Sequence, residues 1–455
     1  MAGGPSASAT PELLDIAARI AERAAPGEQV EAFVARSTAT SVKAYRGEVE
    51  SLTQASSAGV GVRVIIDHRE GFAYAGTLDE GVVLDALAEA RDNAAFAQPD
   101  EHNGLAEPDG VQPPELDLWR EGLASVPTDQ KVALALELER ATTTRDPRVT
   151  GVRTAIFSDG RGEGAVATST GIRAWGRAST CHLAVQALAV HDGETQIAGG
   201  LSVGRDLGDL DVEEAAADAV LRSTRLLGST KPPTQRVTLV LEPRMTATVL
   251  GLVGGMLGGS AVIKGRSPFG ERMGETIASP LLTFVDDPTD ARSLGAEEFD
   301  GEGLAHRRNE LVVDGVLRGF LHNTYTGRRS GTGSNASAVR GLSSTPGVGA
   351  TAMAVAPGSG THEELLAGVD LGVLVTSMAG LHSGVNPVSG DFSVGVEGLM
   401  VRDGELAEPI REATIASTLQ RLLLDITAVG ADLEWLPSGT GGVTLVIPNV
   451  ALSGS

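Results

Sequence analysis

Eight histidines are the residues of this chain best suited to hold a metal or move a proton near neutral pH: His68, His102, His182, His191, His306, His322, His362 and His382. No two lie within eight positions of each other, so the pair of imidazoles on adjacent helix turns that marks a zinc-hydrolase helix is missing. The nearest imitation, Thr361-His-Glu-Glu-Leu-Leu-Ala367, has Leu366 and Ala367 where a second histidine belongs. Thr361 followed three residues later by Glu364 reads instead as a capping box at a helix start. The single cysteine, Cys181, forms no internal disulfide and no thiolate zinc site by itself, and in a strand its neighbour His182 points to the opposite face. Neither Gly331–Asn335 nor Ser377–Gly384 frames a serine between glycines two residues away on each side, as a nucleophile elbow requires. Gly254–Gly259 lacks the Lys-Ser/Thr that completes a phosphate loop.

Two polar clusters remain. His322-Asn323-Thr324 with Arg328-Arg329 follows one hairpin pattern, and His382 to Asp391 precedes another. Asn386-Pro387 and Gly390-Asp391 are turn chemistry, so one reading is structural. The other is peptide or anion binding through backbone amides and the two arginines, with His322, Asn323, Arg328, Arg329, His382, Asn386 and Asp391 as the candidate substrate-binding residues. A self-sufficient zinc site from His322, His382 and Asp391 is conceivable, but no ligand spacing recommends it.

The elements that must position these residues alternate in period. Thr10-Pro11-Glu12 reads as an N-cap, a first-turn proline and an acid at the start of a helix whose apolar face holds Leu13, Ala17 and Ile20. Val30, Ala32 and Val34, then Val60, Val62 and Val64, predict a run of short antiparallel strands from Gln29 to Ala75. Helical patterns follow at Leu78–Ala97 and Thr128–Thr144 around the loop Gln98–Pro114. Residues 150–203 read as strands with turns at Asp159-Gly160 and Asp192-Gly193, and Val212–Leu226 as an alanine-rich helix. Gly228–Thr234 has the composition of a linker, which predicts domains at 1–228 and 229–455. In the second half, Asp314-Gly315 and Asp403-Gly404 mark two hairpins. The glycine- and serine-rich stretch Gly327–Gly349 suits a flexible loop or a backbone-lined groove. A last helix is expected at about Glu412–Leu424 and a strand at Val443–Ile447. The fold class is α+β, two domains with mixed, largely antiparallel sheets flanked by helices.

Composition narrows the function. A net charge of -23 argues against nucleic acid and against anionic membranes. The nineteen residues between Arg244 and Lys264 carry no charge, but five are glycine and three hydroxylic, so they predict a buried helix and glycine loop rather than a membrane span. Met1–Thr10 has no basic segment of the kind that opens a secretory signal, which leads us to expect a cytoplasmic protein.

The run Gly380-Leu-His-Ser-Gly-Val-Asn-Pro-Val-Ser-Gly-Asp-Phe-Ser-Val-Gly-Val-Glu-Gly-Leu-Met-Val-Arg-Asp-Gly-Glu405 resembles the closing motif of the TldD/PmbA (TldD/TldE) family. Ala44–Glu50 followed by Gly59-Val-Gly-Val-Arg63 looks like that family's N-terminal strand pair, and Phe320–Arg329 with Gly333-Ser-Asn-Ala336 resembles its central motif. In that family the TldD-type subunit carries a His-Glu-x-x-x-His helix that holds a metal, and it pairs with a TldE-type subunit that has lost the motif. Aligned on Val237–Leu241 and the helix expected after it, Leu250, Gly251 and Gly255 take the places of the first histidine, the glutamate and the second histidine. The resemblance therefore implies the metal-free subunit of a heterodimeric metalloprotease, with no catalytic or metal-binding residue of its own. Zinc or a similar divalent ion would sit in the TldD-type partner, and unfolded proteins or leader-bearing peptides would be the substrates. A peptide-binding or regulatory homodimer without enzymatic activity is the alternative.

Overall fold

The computed structural model describes residues 11–454. Thr10, the expected helix cap, lies outside the described residues. Helix α1 (Glu12–Ala21) starts after Pro11 and buries Leu13, Ala17, Ile20 and Ala21. Strands β1 (Glu28–Tyr45), β2 (Glu48–Ile66) and β3 (Arg69–Ala75) are followed by α2 (Glu80–Phe96), whose N-terminus is capped by the Asp79 carboxylate. A single turn, α3 (Glu121–Ala124), and α4 (Thr128–Arg145) lead into β4 (Val149–Thr168), β5 (Arg173–His191) and β6 (Glu194–Gly204), then α5 (Val212–Thr224). The six strands form one antiparallel sheet in the order β3-β2-β1-β4-β5-β6.

Two sequence expectations fail in this sheet. The strands are long, not short: β1 has 18 residues and β2 has 19. Their serine- and threonine-rich middles, which look like turns, stay extended because β1 is hydrogen-bonded on both sides. Asp159-Gly160 is no turn either. It sits in mid-strand opposite Cys181 and Thr180, and Asp159 is buried against the ammonium of Lys131 on α4.

Helices cover one face of the sheet, where Val34, Val62, Phe157 and Leu183 are fully buried. The approach is close enough that a Cβ on Gly200 of β6 would lie 2.0 Å from the Ala215 carbonyl of α5. Among the described residues no helix of the first half covers the opposite face, which turns toward the second half of the chain.

That half begins with β7 (Gln235–Leu241), α6 (Pro243–Met256) and α7 (Gly259–Ile263). The uncharged segment is thus two helices, with Leu250, Val253 and Met256 in the largest core. Among the described residues, no helix is long and apolar enough to cross a membrane. β7 pairs in parallel with Leu371–Ala379, which continues antiparallel to Asp391–Arg402 and then Glu405–Thr418. Leu445–Ser453 pairs with both β7 and Glu405–Thr418, so the ends of this sheet meet. The expected helix Glu412–Leu424 is therefore mostly strand. Ala413 and Ile415 are buried with period two, Thr414, Ile415 and Thr418 are β-branched, and only Leu419–Leu424 is helical. Both Asp-Gly hairpins form, with positive φ at Asp314, Gly315, Asp403 and Gly404.

A buried ion network joins the halves. Glu31 of β1 and Arg63 of β2 are directly opposed, 2.8 Å apart, and Glu31 also binds the guanidinium of Arg340. Arg63 reaches Glu302 at 3.5 Å, and Glu302 accepts the Thr324 N–H at 2.8 Å, at the start of α8 (Thr324–Ser330). Burial opposes the charge on Glu31, yet Arg63 and Arg340 hold its carboxyl below the usual range. Removing one member leaves a buried charge unmatched. Arg340→Ala should lower stability by about 3–5 kcal/mol, read as a shift in urea midpoint; an unchanged midpoint would show that the network does not hold the halves together.

Candidate functional site

Helix α6 presents the three positions aligned with the family's metal motif. Leu250 is 1% exposed and points into the core, whereas Gly251 and Gly255 lie one turn apart on the exposed face. A Cβ at either glycine would meet nothing within 4 Å. The residues present do not fit a metal, because the only side chain among the three is apolar and turned inward.

The first polar cluster is built into the fold. His322 is buried, donates its N–H to Asn335 Oδ1 at 2.7 Å, and its Nδ1 lies 3.2 Å from Thr326 Oγ1. Burial lowers its pKa. Asn323 caps α8 by accepting the Thr326 N–H at 2.9 Å and donates to the Pro346 carbonyl at 3.1 Å. Arg328 donates to the Leu105 carbonyl at 2.8 Å, and Arg329 to Tyr325 Oη, which donates in turn to Asp100 at 2.9 Å. These contacts tie the loop around Asp100–Leu105 to α8.

His382, Asn386 and Asp391 are exposed on a separate turn. Asn386 Oδ1 accepts the Val388 N–H at 2.9 Å, and Asp391 accepts the Ser389 hydroxyl at 2.6 Å. Among the described residues no hydrogen bond or ion pair joins this turn to His322, and no three His, Cys, Asp or Glu residues are grouped so as to hold a metal.

Sequence reasoning missed a trough on the first sheet. The face of the first sheet away from the helices is lined on β4 by Thr154, Ile156, Ser158, Gly160, Gly162 and Gly164. Their partners on β5 are Gln186, Ala184, His182, Thr180, Ala178 and Gly176. Every one of these is half-exposed, and only His182 ionises, its pKa lowered by burial. At about 3.3 Å per residue this trough is roughly 30 Å long. A cavity of about 570 Å³ opens at one end, between Ile156, Ala184 and Leu201 on the sheet and Met245, Met378 and Glu397 of the second half. A second cavity, about 410 Å³, opens at the other, between Ser37, Gly162 and Gly176 and the segments around Glu298–Gly301 and Ala338–Leu342. The glycine-rich stretch 327–349 thus supplies part of a cavity wall. The alternation of small residues on β4 and β5 was the available signal. Cys181 lies on the other face, its thiol pushed up to about 12 by burial and nearby aspartates.

Asp300 borders the smaller cavity and is buried, as are Asp286 and His306. Asp300 accepts N–H bonds from Glu302 at 2.9 Å, Leu304 at 3.0 Å and Ala338 at 3.1 Å. Burial and the Glu302 carboxylate nonetheless push its pKa up to about 7.

Three family models match in series: PmbA/TldA metallopeptidase domain 1 over residues 30–96, the central domain over 121–227 and the C-terminal domain over 234–454. Metalloprotease PmbA of Escherichia coli O157:H7 is 27% identical over 448 residues, spanning 97% of this chain and 96% of that protein. The metalloprotease PmbA homologue of Haemophilus influenzae is 25% identical over 416 residues, spanning 90% of this chain and 88% of that protein. The crystal structure of TldE from Thermococcus kodakarensis has the same fold, with a TM-score of 0.87 at 23% identity over 94% of this chain and 97% of that one. An α+β chain matched by successive metallopeptidase domains is of the metallopeptidase class. It belongs to the PmbA/TldD family.

Two measurements follow from this geometry. Gly251→Ala and Gly255→Ala place a methyl in open space on a helix, so each should stabilise the isolated chain by about 0.5–1 kcal/mol in urea unfolding; a loss would mean that the face is not open. For Asp300, the folded carboxyl keeps its proton to about pH 7, whereas an unfolded aspartate releases it near pH 3.9. The fold therefore binds the extra proton between those values, and its stability declines as pH rises through them. Wild type should lose stability relative to Asp300→Asn from about pH 4 to about pH 7 and run level above; a constant difference would refute the raised pKa.

Proposed function

We propose that this chain is the metal-free subunit of a heterodimeric TldD/TldE-type metallopeptidase, completing a chamber in which a metal-bearing partner cleaves unfolded or leader-bearing peptides in the cytoplasm. The observation behind this reading is α6, where Leu250, Gly251 and Gly255 leave no side chain able to bind a metal or transfer a proton. The PmbA-named relatives and the TldE fold match support the subunit type. Zinc or a similar divalent ion, held by the partner's His-Glu-x-x-x-His helix, would supply the Lewis acid for peptide hydrolysis.

This chain's own contribution is a wall. The trough of glycine, alanine, serine and threonine on β4 and β5 presents little shape and almost no charge, which suits binding that tolerates many sequences. The backbone groups of those strands are already paired in the ladder, so an extended peptide lies on this face through van der Waals contact rather than by strand addition. His322, Asn323, Arg328 and Arg329 act at one remove, by fixing the loops that frame the trough.

The test is reconstitution. The purified chain alone should hydrolyse no disordered peptide, while co-expression with a His-Glu-x-x-x-His relative should give a stable complex and cleavage that a chelator abolishes. Metal-dependent hydrolysis by the lone chain would overturn the proposal, and so would a stable homodimer that ignores such a partner.

A further inference from the structure

The smaller cavity has an unbalanced charge distribution. Three arginines border it, and each is paired with carboxylates: Arg36 with Glu12 and Glu163, Arg177 with Glu121, and Arg340 with Glu31. Three carboxylates on one segment, Glu297, Glu298 and Asp300, also border it. Among the described residues none of these has a Lys or Arg nitrogen within 4.0 Å. The nearest basic side chain is His306, whose imidazole lies 3.9 Å from Glu297.

A second observation is independent of the acids. The His306 side chain is 1% exposed, and neither ring nitrogen has a hydrogen-bond partner. Its Nε2 is turned toward Glu297, on the cavity wall. Thr351, also on the wall, has a buried hydroxyl with no partner. Buried polar groups left unpaired are uncommon and costly. Here Thr351 borders an open volume of about 410 Å³, and His306 stands behind Glu297 on its wall. The floor is clear as well. A Cβ on Gly162 would meet nothing within 4 Å, and one on Gly176 would lie 3.4 Å from Glu298 Oε2, so Glu298 stands directly over the small-residue floor. Burial holds Glu298 above the usual carboxylate range despite Arg177, which indicates that its charge is under-compensated.

We infer that this cavity is a subsite for a cationic group of a bound peptide, a lysine or arginine side chain or a free amino terminus, received by Glu297 and Glu298 with Asp300 and Thr351 behind them. The inference rests on the peptide-chamber reading and adds a polarity to it. The uncharged trough accepts almost any sequence, and the acidic cavity at one end anchors a positive charge. An ammonium entering there supplies a donor to Thr351 Oγ1 and a positive charge beside Glu297 and Glu298.

The experiment measures binding to the full-length purified chain without partner, by fluorescence anisotropy of flexible Gly/Ser/Ala peptides labelled at the C-terminus. One peptide is N-acetylated with a single lysine, a second has glutamine in its place, and a third has glutamine and a free amino terminus. The lysine peptide, the free-amine peptide or both should bind wild type about five- to tenfold more tightly than the acetylated glutamine peptide, and Glu297→Gln with Glu298→Gln should erase the preference. Which peptide gains identifies the source of the cation. Glu297→Gln alone, at a side chain 58% exposed, is the variant that cannot fail through misfolding and should reduce the preference in part. No preference in wild type, no binding of any peptide, or a preference that survives the double variant overturns the inference. Chelator-sensitive cleavage by the reconstituted complex is scored separately. If cleavage occurs without charge preference, only the subsite falls; if charge preference persists in a chain that never assembles, only the subunit assignment falls.

Discussion

The ion network of Glu31, Arg63, Arg340 and Glu302 is the constraint on which the arrangement depends. Each charge is nearly or wholly removed from water, and such groups are tolerated only when each is matched. Two members come from adjacent strands of the first sheet, and two from loops of the second half that are far away in sequence. Matching them therefore requires the two halves to meet in one register. The same contact sets the neighbourhood. Arg340 lies over the Phe33 ring at 4.9 Å and closes one edge of the smaller cavity, while Glu302 holds the start of α8. A hydrophobic seam of equal area would bind the halves as tightly but would permit sliding.

That fixed contact covers only one end of the sheet face. Past it, the outward residues of β4 and β5 between Thr154 and Gly164 and their partners are small apart from Ile156, His182 and Gln186, and their helical side is sealed by cores that include Phe157 and Leu183. The sheet is thus rigid from behind and open in front.

Much of the fold was legible in the sequence where local chemistry is decisive. Asp314-Gly315 and Asp403-Gly404 turn because those pairs accept positive φ, and Thr361 with Glu364 forms its capping box. Legibility ended where pairing overrides propensity. Asp159-Gly160 has the same composition as the true turns but is held in mid-strand by partners on both sides and by Lys131. The segment after Glu412 has leucines at helical spacing, yet its first part is recruited by two neighbouring strands. The candidate site was harder still. His322 and Asn323 were visible as unusual residues, but only packing shows that they cap and brace a helix. Glu297, Glu298 and His306 stand in no motif, and they gain meaning only from the sheet face opposite them.

Helix α6 brings these points together. Its buried side is an ordinary core helix, with Leu250, Val253 and Met256 packed among strands, and such a face is preserved by volume alone. Its exposed side carries Gly251 and Gly255, which weaken a helix and fill no space. Helix propensity would favour alanine at both positions, so neither glycine is there for the stability of the helix. A helix face without side chains one turn apart leaves its backbone open to close approach, as the small residues of the trough do on the sheet.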